Sequence, residues 1–155
     1  PSKMNSFVTD DLRIDAIGPL ISPAILIYEY PVSDKASETV SVARRAAERI
    51  FRGEDDRLLV LLGPCTIHYP KAALEYAALL KNEIDRLKDD LCIIMRVYYE
   101  KPRKKVGWKG LINDRNLDNT YEINRGIKGA RELLLSLNES GVPAGSEFLA
   151  NITPQ

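Results

Sequence analysis

The chain has 155 residues, and its 22 lysines and arginines balance 22 aspartates and glutamates, so the net charge is zero. That length suffices for one ordinary domain with a sizeable core. The balance argues against a general nucleic-acid or membrane-surface binder, which usually carries a basic excess. No apolar run approaches the length of a membrane span, and residues 1–11 lack the apolar centre of a signal peptide. Two cysteines, Cys65 and Cys92, make no disulfide framework, which fits a reducing cytoplasm.

Residues 1–36 read as an irregular arm, punctuated by Pro19, Pro23 and Pro31, with one short apolar stretch over Ala24–Tyr28. From about Ser37 to Arg52 the spacing of Val40, Ala43, Ala47 and Ile50 predicts a helix, with Gly53 as its stop. Leu58–Leu62 is a continuous apolar run ended by Gly63-Pro64, which predicts a strand buried on both faces, as in a parallel sheet. Pro70 opens a second helix reaching about Lys88, with Ala73, Tyr76, Ala77, Leu80, Ile84 and Leu87 on its apolar stripe. A second buried strand is predicted over Leu91–Val97. A long loop with little periodicity follows, over 98–121, and loops of that length are usually functional. The third helix is predicted from about Ile123 to Ser140, with Ile127, Ala130, Leu134 and Leu137 inward and Gly141 as its cap. Val142–Phe148 is the third candidate strand, and Ile152–Gln155 reads as the start of another helix.

This order of elements is that of an α/β domain built from parallel strands and helical crossovers. Ligands in such sheets bind at the carboxyl ends of the strands. Cys65, Arg96 and Glu147 each follow an apolar run there, about one βα unit apart. Arg96 opens the most distinctive segment, Arg96–Gly110, in which six of fifteen residues are cations. Arginine grips carboxylates and phosphates with a planar fork, and lysine adds a point charge. A concave site for a small, multiply anionic substrate follows, against the plainer reading of a solvated basic loop. Pro102 stiffens the loop between Lys101 and Arg103, while Lys104, Lys105 and Lys109 extend the positive field. Trp108 either walls the site or pins the loop to the core. Cys65 and His68 could share a metal or form a nucleophile–base pair, but equally are a buried cysteine beside an unrelated histidine. Cys92, mid-strand, reads as a small core residue. Glu147 could orient a lysine, handle a proton or pair in a salt bridge.

The segments Gly63-Pro64-Cys65-Thr66-Ile67-His68, Arg96–Asp114, Glu147-Phe148-Leu149 and Ile152-Thr153-Pro154-Gln155 together resemble the type I (microbial) 3-deoxy-D-arabino-heptulosonate 7-phosphate (DAHP) synthases. The resemblance covers nearly the whole chain. It implies a (β/α)8 TIM barrel with an N-terminal extension, of which this chain holds the arm (1–36) and a helix followed by the first three βα units (37–155). It also implies condensation of phosphoenolpyruvate with erythrose 4-phosphate, the first step of the shikimate route to aromatic amino acids, with a divalent metal (Mn, Fe, Co or Zn). Carried onto this sequence, Cys65 would be a metal ligand. Arg96 and Lys101 would hold phosphoenolpyruvate with Glu147 nearby, and Arg103, followed by Lys104, would bind the phosphate of erythrose 4-phosphate. Asp10, Asp11, Phe148, Pro154 and Gln155 match the region where an aromatic amino acid inhibits and where the arm crosses to a neighbouring subunit, which implies a homo-oligomer. Neither nucleic acid nor membrane is an expected partner.

Five positions depart from the family pattern: Lys104-Lys105 replace a Thr-Thr pair, Tyr69 and Ala150 each replace an aspartate, and Thr66 replaces a serine. The family chain is roughly twice as long, and three strands of eight cannot close a barrel. The expectation is therefore a portion of a longer enzyme, inactive alone. The alternative is a non-catalytic regulatory or assembly subunit derived from such a synthase.

Overall fold

The computed structural model describes residues 18–100, 110–116 and 122–148, in which four helices and three short strands follow one another. The first helix, α1, spans Pro23–Glu29, where irregular chain was expected. Its origin is local. The Ser22 hydroxyl accepts from the Ile25 amide at 3.4 Å, and Pro23 sits in the first turn, where its missing N–H costs nothing. Leu26 fixes it to the core, only 3 % exposed. Helix α2 spans Asp34–Phe51. Ser33 caps it by accepting from Ala36, and Asp34 faces the positive helix end, so it begins three residues before the expected Ser37.

Strand β1 occupies Leu58–Leu62, helix α3 Pro70–Leu87, strand β2 Leu91–Arg96, helix α4 Ile123–Glu139 and strand β3 Ala144–Gly145. All strand pairs are parallel, in the order β1-β2-β3. The register runs from Leu58 opposite Leu91 to Leu62 opposite Met95, then Met95 opposite Ala144 and Arg96 opposite Gly145. Two expectations are corrected here. β1 is not buried on both faces: it forms an edge of the described sheet, and Leu58 and Leu61 are 64 % and 59 % exposed. β3 is far shorter than Val142–Phe148. Pro143 has no N–H for the ladder, although its carbonyl accepts from Met95 and that of Gly145 from Val97, each at 2.8 Å.

Ile93 and Met95 of β2, and Val97 just beyond it, belong to one core with Ala73, Ala77 and Leu80 of α3 and Ile127, Ala130, Leu133 and Leu137 of α4. Helix α4 closes as its sequence predicts. Gly141 takes φ +82°, its amide donates to Asn138, and the Val142 amide donates to Leu137, the paired bonds of a Schellman stop. Helix α2 lies by the amino ends of the strands. Its Val42, Ala43 and Ala46 share a cleft with Arg57, Leu91, Cys92 and Pro143. Arg57 grips Asp55 with Nε and Nη2 and donates through Nη1 to the Lys88 carbonyl at 3.0 Å, tying the entry of β1 to the end of α3. Hydrogen bonds from Arg57 hold the Asp55 carboxyl down at about 2. Among the described residues no helix is long and apolar enough to cross a membrane.

Candidate functional site at the carboxyl ends of the strands

Each strand brings one of the polar residues singled out above to its carboxyl end or just beyond it. After β1 the chain bends through Gly63. A side chain there is excluded, because a Cβ would lie 2.6 Å from the Arg96 carbonyl oxygen. The turn is then pinned to the continuation of β2: the Ile67 amide donates to the Tyr98 carbonyl at 2.9 Å, and the Thr66 hydroxyl reaches the same oxygen at 3.4 Å. Ile67 is buried at 2 % exposure, whereas Cys65 between the turn and this anchor faces solvent. His68 is exposed beside the Tyr69 ring.

Arg96 is the last residue of β2. Its Nε donates to Pro64 at 3.2 Å and its Nη2 to Gly63 at 3.0 Å, so the turn after β1 orients the guanidinium. Its guanidinium carbon also lies 5.2 Å from the centre of the Tyr98 ring. Glu147 follows β3. Both its carboxylate oxygens are shut from solvent and make no well-formed hydrogen bond among the described residues. Burial pushes the Glu147 carboxyl up; the backbone amides of Glu100 and Glu147 oppose this, the Glu100 carboxylate reinforces it, and Arg96 counters it. Glu147 borders a cavity of about 270 Å³ with Leu26, Tyr99, Glu100, Arg131 and Phe148. Phe148 itself is 77 % exposed.

The stems of the basic loop meet at this same end of the sheet. Gly110 takes φ +109°, and a Cβ on it would lie 2.0 Å from the Tyr99 carbonyl oxygen. The Ile112 amide donates to Tyr99 at 3.4 Å, and Asn113 Nδ2 reaches Glu100 at 3.5 Å. Gly126 of α4 lets Ile112 approach, since a Cβ there would be 2.0 Å from the Ile112 carbonyl oxygen. The chain therefore leaves at Glu100 and returns at Gly110 beside it. Lys101, Arg103, Lys104, Lys105, Trp108 and Lys109 lie outside the described residues, as do Asp10, Asp11, Ala150, Pro154 and Gln155.

Cys65, Arg96 and Glu147 thus stand at the carboxyl ends of three adjacent parallel strands, with Arg96 central. Among the described residues no group of three or more His, Cys, Asp and Glu side chains is placed to hold a metal, so Cys65 offers a single exposed donor. Reading the sequence missed Tyr98 and Glu100. The signal for Tyr98 was its spacing of two from Arg96, which puts both on one side of an extended chain.

A three-stranded parallel sheet with helical crossovers, its polar residues gathered at the carboxyl ends, is the architecture of an α/β protein. Residues 29–155 match the model of the DAHP synthetase I family, and the chain belongs to that family. It is 53 % identical over 150 residues to the Phe-sensitive phospho-2-dehydro-3-deoxyheptonate aldolase of Escherichia coli K12, covering 97 % of this chain and 43 % of that one. Identity is 50 % over 146 residues to the phospho-2-dehydro-3-deoxyheptonate aldolase of Amycolatopsis methanolica, covering 94 % of this chain and 72 % of that one. The solved phospho-2-dehydro-3-deoxyheptonate aldolase of Francisella tularensis superposes with a TM-score of 0.87 at 48 % identity, over 91 % of this chain and 41 % of that one. The chain therefore spans about two fifths of the Escherichia and Francisella proteins.

Proposed function

We propose that this chain carries the phosphoenolpyruvate-binding end of an aldol-type transferase that condenses phosphoenolpyruvate with erythrose 4-phosphate. The observation that supports this most is the convergence of Cys65, Arg96 and Glu147 at the strand ends, in a chain about half identical to proteins named for that activity. In the reaction the methylene carbon of phosphoenolpyruvate bonds to the aldehyde carbon, water adds at the carbon bearing phosphate, and inorganic phosphate leaves. Both substrates are anions. Arg96 and Lys101 hold phosphoenolpyruvate, and Arg103 with Lys104 holds the sugar phosphate. The exposed Cys65 thiol suits one position on a divalent ion (Mn, Fe, Co or Zn), with the other ligands drawn from outside the described residues. Such an ion would polarise the aldehyde carbonyl. Fixed cations stabilise charge as it develops on the reacting oxygens. Glu147, kept from solvent beside Arg96, can hold a proton near the reacting centre more readily than an ordinary carboxylate.

The strand order β1-β2-β3 with helical crossovers agrees with the first three units of a (β/α)8 barrel. The relatives include proteins named as Phe-sensitive, Trp-sensitive and tyrosine-inhibited. An aromatic amino acid acting through Asp10, Asp11, Phe148, Pro154 and Gln155 in a cytoplasmic homo-oligomer belongs to the same proposal. The test is phosphate release by the natural gene product, supplied with each metal in turn. The expected result is release that requires both substrates and falls at least about a hundredfold in Cys65→Ala, as losing a ligand or its support commonly does. Phosphate release that ignores erythrose 4-phosphate, or none with any of the four metals, overturns it.

A further inference from the structure

The geometry points to Tyr98 as the residue that positions Arg96 for its anion, a role that rests on the reading of Arg96 as the phosphoenolpyruvate contact. Arg96 ends β2, Tyr98 follows two residues later, and their side chains meet. The guanidinium is held from two directions. Along its edge, Nε and Nη2 donate to the carbonyls of Pro64 and Gly63. On its face, the Tyr98 ring lies 5.2 Å from the guanidinium carbon, within the range where a ring quadrupole attracts a cation. The two carbonyls alone leave the plane able to pivot about the edge they grip. The ring removes that freedom. Two of the five N–H groups are engaged by these carbonyls, and of the other three one on each terminal nitrogen forms the edge an anion can take in a forked contact.

Tyr98 has a second attachment that makes the test clean. Its main-chain carbonyl accepts from the Ile67 amide and the Thr66 hydroxyl, and so fixes the turn that carries Cys65. One residue thereby sets where Cys65 stands through its backbone and how Arg96 points through its ring. A substitution of the side chain changes only the second. The attraction needs the ring face and not the phenol oxygen, so phenylalanine preserves it and leucine, which fills much of the space, does not.

The experiment uses the natural gene product labelled with 15N-arginine, with the Arg96 Nε–H signal assigned by its loss in Arg96→Lys. Exchange of that proton with solvent and the affinity for phosphoenolpyruvate are measured in the wild type, Tyr98→Phe and Tyr98→Leu. In Tyr98→Leu the expected result is exchange about three- to tenfold faster and phosphoenolpyruvate binding weaker by a similar factor, the size of a partly shielded cation–ring contact. Tyr98→Phe should match the wild type in both. Exchange unchanged in Tyr98→Leu, or equally raised in both variants, overturns the positioning role. Faster exchange in Tyr98→Leu with undiminished phosphoenolpyruvate binding also overturns it. A wild type that shows the ring-dependent exchange yet binds no phosphoenolpyruvate supports the ring's hold on Arg96 and overturns the functional reading instead.

Discussion

Both carboxylate oxygens of Glu147 are buried. Burial strips its carboxylate of hydration, and the Glu100 and Glu147 backbone amides and Arg96 return only part of that. Its folded-state pKa is raised, so the folded chain binds that proton more tightly than the unfolded one. The sign follows from linkage. Its contribution to stability is greatest below the unfolded glutamate value of about 4.3 and is lost as pH rises through the higher folded value. Glu147→Gln should therefore be more stable than the wild type at pH 7, by on the order of 1 kcal/mol. The difference should vanish near pH 3. Denaturant midpoints across that pH range check this; a variant less stable at pH 7 would show that Glu147 gains more from Arg96 than it loses by burial. The sequence placed Glu147 and Arg96 at strand ends, because an apolar run followed by a polar residue marks that position. It did not show that the Gly63 and Pro64 carbonyls orient Arg96, nor that both Glu147 oxygens are buried. The Arg96 bonds span 32 and 33 residues, and the burial of Glu147 likewise depends on distant chain, which no local pattern records.

At the scale of elements, α4 carries a polar stripe that reads the backbone of residues 19–30. Asn124 accepts from the Ile21 amide at 2.7 Å and donates to the Pro19 carbonyl at 2.9 Å. Lys128 pairs with Glu29, and Arg131 donates to the Tyr30 carbonyl through both Nε and Nη2. These positions are spaced by four and three, one face of a helix. They hold α1 over the cavity beside Glu147, with Leu26 as its apolar contact. Asn124→Ala combined with Arg131→Ala should raise amide exchange over residues 21–30 by about fivefold, for a loss of roughly 1 kcal/mol in partly exposed bonds. The exchange of α3 should not change. Equal exchange in wild type and variant would mean that Leu26 alone holds the segment. Periodicity made α2, α3 and α4 legible to within a few residues, and the Leu58–Leu62 run was read to its ends. Helix α1 is not legible, because Pro23 reads as turn punctuation when Ser22 is a cap and Pro23 a first turn. The exposure of β1 was equally hidden: an apolar run gives the strand but not its neighbours.

Across the whole molecule the two ends of the sheet have different work. The amino ends are closed by α2 and by the Asp55–Arg57 pair, whose bonds reach the end of α3. The carboxyl ends gather Cys65, Arg96, Tyr98 and Glu147, together with both stems of the basic loop. That division was readable from the sequence once three strand ends carried polar residues at similar spacing, and the family resemblance rested on those same segments. The central claim is that the carboxyl end is where the anionic substrate binds. The most direct measurement is amide hydrogen exchange of the natural gene product with and without phosphoenolpyruvate and a divalent metal. The predicted result is added protection over residues 63–68, 96–100 and 145–148 together, lost in Arg96→Ala, with α2 and residues 55–58 unchanged. Protection centred on α2 and residues 55–58, or protection that survives Arg96→Ala, would contradict it.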